Sequence, residues 1–273
     1  MRAVTLHGMI ERCILVNYRL DPSVLSAMLP PPLRPRIYCG YGIATVCLLR
    51  LCHVQPRFVP KSLGFSWENA PHCLEVAWEH DGKVRSGVYL PERLVSSHIG
   101  SLLASMLLSG KSHVAYFQVV EEAERVSVTI SRNGQREFVV CGEVSNSLPA
   151  TSLFPSLEQA SIFFQQGPLG LSATGQPGCF DAVELQCENW NPIAMNVSRV
   201  ESSYFDDHTI FPPGSVEFDS ALLVRNVVHR WCRRSRVGKP AKFPVVEAIS
   251  PVQRARASRS MPRRAILLDA EKE

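Results

Sequence analysis

The sequence predicts a mostly-β domain of the α+β class, in which an antiparallel sheet system carries about three helices. Two observations lead there. Runs with a period of two are joined by Asp81-Gly82 and Asn133-Gly134, the dipeptides of tight hairpin turns. Helical segments are few and do not alternate with strands, so a βαβ order is excluded.

Taken in order, Ile10 to Leu20 reads as a strand around the apolar run Cys13-Ile14-Leu15-Val16. Asp21-Pro22 then supplies a capping acid and a proline at the first helical position. Val24, Leu25, Met28 and Leu29 give helical spacing until the prolines at 30, 31 and 32 end it. Gly42 to Cys52 is nearly all apolar and fits a strand buried on both faces. His72, Leu74, Val76 and Trp78 alternate with Cys73, Glu75, Ala77 and Glu79, which predicts a strand with one apolar face. Val84 to Leu90 returns from the Asp-Gly turn. Ser97 to Leu108 and Pro155 to Gln165 are predicted helices, the second capped by Ser156. Val114 to Val120 is placed beside the hairpin of Arg125 to Ser131 and Glu137 to Val144. Further strands are predicted near Ala182 to Glu188 and Ile193 to Val200, whereas Ser215 to Val228 suits a helix or a strand.

A chain of 273 residues with 45% apolar and 20% charged residues has enough material to bury a core without disulfide or metal. Charge is unevenly spread. Residues 233–273 hold eleven Lys or Arg against four Asp or Glu, so residues 1–232 are slightly acidic, with 18 basic against 21 acidic. We therefore expect a folded domain over 1–232 and a basic, disordered tail over 233–273. An acidic body does not suit a specific nucleic-acid reader. Nine cysteines without a C-x-x-C, and no leader-like start, predict reduced thiols in the cytoplasm. No stretch approaches the roughly 18 apolar residues of a membrane span.

Several motifs resemble a known superfamily. Val16-Asn17-Tyr18-Arg19-Leu20-Asp21-Pro22, then Pro30-Pro31-Pro32-Leu33, resembles the opening of acetoacetate decarboxylases. Gly64-Phe65-Ser66-Trp67-Glu68-Asn69, Gly87 to Arg93, Ser202 to Asp207, and Phe211 to Ser215 leading to Asp219-Ser220-Ala221-Leu222-Leu223 are similar to the bacterial YqjF-like family of the same superfamily. The resemblance spans roughly residues 5 to 232. It implies an antiparallel, cone-shaped β-barrel of acetoacetate decarboxylase-like type with a central pocket. In the decarboxylases a buried lysine forms a Schiff base with the substrate ketone, beside an arginine and glutamates. By motif position the resemblance implies Arg19 as that arginine, Glu68 as a pocket glutamate and Lys111 as the lysine. This chain has a single lysine there, where the decarboxylases have a Lys-Lys pair.

The candidate catalytic residues are accordingly Lys111 and Glu68, and the substrate-binding candidates Arg19, Glu75 and His72. A Schiff-base lysine must be neutral, which burial favours; Lys111 after Gly110 equally fits a solvated loop. A guanidinium fork at Arg19 suits a carboxylate, or an ion pair with Asp21 or Glu11. Trp67 beside Glu68 fits it for acid–base work, or Glu68 bonds to loop amides. Glu75 and Glu79 share a face that either lines a pocket or is wet. His72, His98 and His113 lack metal-ligand spacing, and Asp206-Asp207-His208 reads as a turn before it reads as a metal site. No serine-hydrolase elbow or phosphate loop occurs, and no cofactor is expected. The predicted function is a small-molecule-binding barrel, a lyase on a small oxo-acid or carboxylate, or a binding or regulatory module on the same fold. The expected partner is a small carboxylate or carbonyl ligand; a homo-oligomer stays open.

Overall fold

The computed structural model of the chain describes residues 5–238, Pro168 excepted. β1 (Thr5–Leu20) and α1 (Pro22–Met28) precede two short strands, β2 (Arg34–Pro35) and β3 (Ile37–Tyr38), and two long ones, β4 (Tyr41–Pro56) and β5 (Phe65–His80). β6 (Lys83–Tyr89) and β7 (Glu92–Val95) lead to α2 (His98–Leu107). A meander follows: β8 (Lys111–Val114), β9 (Tyr116–Glu122), β10 (Arg125–Arg132) and β11 (Gln135–Ser145). After α3 (Leu157–Gln165) come β12 (Leu169–Ala173), β13 (Phe180–Cys187), β14 (Ile193–Ser202) and β15 (Val216–Val237).

The pairings close on themselves. β1 pairs β4, and the order continues through β5, β6, β12, β13 and β15, which returns to β1 along its length. The ring is antiparallel except for the β6–β12 contact. β15 is long enough to serve two neighbours on its other edge. Its first half pairs β14 (Leu223 opposite Ile193) and its second half pairs β13 (Val237 opposite Phe180). From β14 the sheet extends through β11 and β10 to β9. The predicted mostly-β fold with three helices is thus observed.

Local chemistry explains the elements. Asp21 accepts from the Ser23 amide at 2.7 Å and Pro22 opens α1. Ser97 and Ser156 cap α2 and α3 through the amides of Gly100 and Gln159. Both hairpin turns place two residues at positive φ, Asp81 (50°) with Gly82 (68°) and Asn133 (52°) with Gly134 (78°). The ambiguous segment resolves as β15, because Ala221 to Val224 is buried on both faces by flanking strands.

Two expectations are corrected. β5 is buried on both faces from Trp67 to Trp78, so Glu75 does not lie on a wet face. The reason is ring closure: one face of β5 looks inward, and the other packs on aromatic residues such as Tyr204 and Phe205. Arg233 to Val237, assigned by sequence to the tail, continue β15; residues 239–273 lie outside the described residues. Among the described residues no helix is long and apolar enough to cross a membrane.

Candidate functional site

A cavity of about 340 Å³ lies inside the ring. Every ring strand contributes to its wall, for instance Leu15 of β1, Cys47 of β4, Cys73 of β5, Val88 of β6, Gly170 of β12, Val183 of β13 and Trp231 of β15. On β5 the odd-numbered residues from Trp67 to Glu75 face it, as the alternation of a strand requires. Ala104 and Leu107 from α2 and Phe164 from α3 complete the wall. The lining is mostly apolar, so its few polar groups define its chemistry.

Arg93, from β7, is one of them. It is 6% exposed, and its Nη2 donates to the carbonyls of Leu108 (3.2 Å) and Ser109 (3.4 Å). It pairs with no carboxylate among the described residues. Burial lowers its pKa, yet an arginine in protein stays charged. The indole nitrogens of Trp67 and Trp190 and the amide oxygen of Asn69 also belong to wall residues, and none has a hydrogen-bond partner among the described residues. The wall thus holds a guanidinium that bonds two carbonyls and no carboxylate, with two indole N–H groups and one amide oxygen buried behind it without partners among the described residues.

Glu75 is the second polar centre. Its carboxyl accepts from Arg36 Nη1 at 3.2 Å. Arg36 in turn donates to Gln166 Oε1 (2.9 Å) and stacks on the Phe163 ring at 4.0 Å. Burial raises the Glu75 pKa to about 7, against the pull of Arg36. Gly167 lies beside this carboxyl, where a Cβ would make ordinary contact with Glu75 Oε2 at 3.4 Å. Near neutrality Glu75 can give or take a proton.

Four of the nine cysteines, Cys13, Cys47, Cys73 and Cys187, also face the cavity, and all nine are free. Cys47 and Cys73 lie on neighbouring strands with their sulfurs 3.5 Å apart. Burial raises the Cys13 and Cys187 thiols; for Cys73 the Cys47 sulfur and burial act together. These are protonated, weak nucleophiles.

Of the five residues singled out in the sequence, Glu75 alone lines the cavity. Arg19 ends β1 at the protein surface, bonded to Glu217 (2.6 and 2.9 Å) and to the Thr151 carbonyl (2.9 Å). It forms an ion pair, with neither of the expected acids: Asp21 caps α1 and Glu11 lies near Arg50. Lys111 is exposed on β8, and no lysine lines the cavity among the described residues. Its motif position did not carry it inward, because β8 pairs beside β7, outside the ring. Glu68 and His72 are even-numbered on β5 and so face away. Glu68 is buried against Arg12 at 2.6 Å; burial raises its pKa while Arg12 and Arg50 oppose. His72 stacks on Tyr204 at 4.4 Å, and burial lowers its pKa to about 4, so it is neutral at pH 7. Asp206 and Asp207 hold a turn, and no metal-binding cluster of His, Cys, Asp or Glu occurs among the described residues.

The residues the sequence reading overlooked are Arg93, Arg36, Asn69 and the two tryptophans. Arg93 closed a quoted motif but carried no role there. Its only signal is local: an arginine in Glu92-Arg93-Leu94-Val95, a four-residue strand buried from Arg93 onward. A charge inside so apolar a run invites the question of what it pairs with.

No protein-family model matches the chain, and no curated protein sequence does. Solved structures do. Acetoacetate decarboxylase from Legionella pneumophila superposes with a TM-score of 0.58 at 9% identity, covering 86% of each chain. The enduracididine biosynthesis enzyme MppR, in complex with pyruvate, gives 0.55 at 13%, covering 86% of this chain and 89% of that one. An acetoacetate decarboxylase-like enzyme from Sphingomonas wittichii RW1 gives 0.54 at 15%, covering 87% and 92%. At these identities the similarity establishes a shared acetoacetate decarboxylase-like fold.

Proposed function

We propose that the barrel cavity binds a small organic carboxylate, with Arg93 as its anion anchor and Glu75 as a proton donor or acceptor toward the bound molecule. The observation that carries this reading is a buried guanidinium with no carboxylate partner among the described residues. Leaving a charge unpaired in an apolar interior costs several kcal/mol, and an anionic ligand removes that cost. MppR, of the same fold, is known in complex with pyruvate, a carboxylate.

The chemistry differs from that of a Schiff-base decarboxylase. Such an enzyme needs a neutral lysine at the substrate carbonyl, and none stands in the wall among the described residues. That observation favours a binding or regulatory role, or proton-transfer chemistry at Glu75, over imine-dependent carbon–carbon cleavage. The quoted motifs support a YqjF-like relationship on this reading, and nine free thiols fit a reducing compartment such as the cytoplasm.

The test is a thermal-shift screen of carboxylic acids against their amides. Acids should raise the melting temperature and amides should not. Arg93→Met should abolish the acid response, and an unchanged response in that variant refutes the anchor. Borohydride with a β-keto acid should trap no covalent adduct.

A further inference from the structure

Thiols are concentrated around the cavity. Four of its 26 described lining residues are cysteines, against nine in the whole chain of 273, a several-fold excess. Three of them lie on adjacent ring strands: Cys13 on β1, Cys47 on β4 and Cys73 on β5. The Cys47 and Cys73 sulfurs are 3.5 Å apart. A buried cysteine ordinarily serves as a small apolar residue in a packed interior. These two border a hollow instead, and the proposed carboxylate site makes no use of them.

Two fates are open to a pair of adjacent thiols, and the strand register separates them. In the β4–β5 ladder Cys73 stands opposite Thr45, and His72 stands opposite Val46. Cys47 is therefore the diagonal neighbour of Cys73. Diagonal neighbours keep their Cβ atoms roughly 7 Å apart, whereas a disulfide requires about 3.8 Å. Both strands are held by further pairing, β4 by β1 and β5 by β6 and β7, so a disulfide demands a shift of locked backbone. A two-coordinate metal bridge demands the opposite movement. It holds its sulfurs about 4.6 Å apart, twice a typical metal–sulfur bond of about 2.3 Å. Side-chain rotation into the hollow supplies the extra ~1 Å and leaves the ladder intact.

We propose that Cys47 and Cys73 bind one soft, two-coordinate cation of the copper(I) type in the barrel cavity. Thiolates select soft ions of this kind. Two thiols and one monovalent cation give a bis-thiolate complex of charge −1 and release two protons. The cation itself removes those protons, so the pair need not be ionised beforehand. The anionic complex shares its wall with the buried Arg93 guanidinium, which meets no carboxylate among the described residues. Zinc does not suit the pair, because a structural zinc site takes four donors. Among the described residues no group of three or more His, Cys, Asp or Glu side chains is placed to hold a metal. The inference is independent of the carboxylate reading, and its experiment contains no acid ligand, so either can fail alone.

Anaerobic titration of the reduced full chain with copper(I), in competition with the coloured chelator bicinchoninate, tests this. One tightly held ion per chain is expected. Cys47→Ser and Cys73→Ser should each weaken it at least about a hundredfold, since a single remaining thiolate loses the advantage of two linked ligands. Cys39→Ser, at an exposed thiol, should leave the affinity unchanged. X-ray absorption on the wild-type complex should show two sulfur neighbours and no nitrogen, which keeps the test decisive if a variant fails to fold. No copper(I) held against bicinchoninate, full affinity in Cys47→Ser or Cys73→Ser, a shell of three or four sulfurs, or equal competition by zinc(II) overturns the site.

Discussion

Replacing Glu75 by Gln should remove one limb of the pH–stability profile. Burial moves this carboxyl from 4.5 in the unfolded chain to about 7 in the folded one. At 1.36 kcal/mol per pH unit the difference is about 3 kcal/mol. The fold favours the protonated form, so its contribution is complete below pH 4.5 and is lost as pH rises through 7. His72 and His229 work in the opposite sense. Burial lowers both to about 4 from 6.5, so their contribution is full above pH 6.5 and is lost as pH falls toward 4. Wild type and Glu75→Gln share the histidine limb, and subtracting one profile from the other isolates Glu75. Urea unfolding of both proteins at pH 5, 6, 7 and 8 is the assay. The stability difference should shift by about 2–3 kcal/mol between pH 5 and pH 8 in the direction that costs the wild type. Profiles that stay parallel within about 0.5 kcal/mol refute the reasoning, because a carboxyl free of desolvation has no such limb.

Three further outcomes follow from the placement of charges and thiols. Arg12→Met should destabilise by about 2–4 kcal/mol in urea unfolding, because it leaves the buried Glu68 carboxylate, which Arg12 holds at 2.6 Å, with only the more distant Arg50 at 3.8 Å. Arg19→Ala and Lys111→Ala should each cost no more than about 1 kcal/mol and leave acid binding by calorimetry unchanged, since the first removes a surface ion pair and the second an exposed lysine. Iodoacetamide followed by mass spectrometry should label the exposed Cys39 first, and Cys13 and Cys73 only after unfolding; early labelling of Cys73 contradicts its burial.

Much of the fold was legible because its signals are local. Hairpin dipeptides require positive φ, caps need an oxygen next to free amides, and prolines at 30–32 stop a helix wherever they occur. What stayed hidden depends on partners distant in sequence. β12 (Leu169–Ala173) contains Gly170, Ser172 and no β-branched residue, so nothing local marks it as a strand. It exists because β13 and β6 pair with it. Similarly, Lys111 to Val114 forms a strand because β7 offers an edge there.

The site was harder still, and β5 shows why. Its alternation was legible, and it already sorted Glu75 from Glu68 and His72, since odd and even residues cannot share a face. The sequence could not tell which face closes a cavity, because both are buried and a period of two is silent about what each side meets. Ring closure decides that, and it depends on β15 reaching back to β1 over some two hundred residues of chain. Once the inward face is fixed, the assignment of charges follows by elimination. Glu68 is matched by Arg12 and Arg50, Arg19 by Glu217, and Glu75 by Arg36. Arg93 is the buried guanidinium left over among the described residues, and it lines the one hollow that all seven ring strands share. An unmatched buried cation is hard to explain by folding alone, since packing an apolar side chain there costs less. Its retention makes physical sense if the countercharge arrives with a ligand.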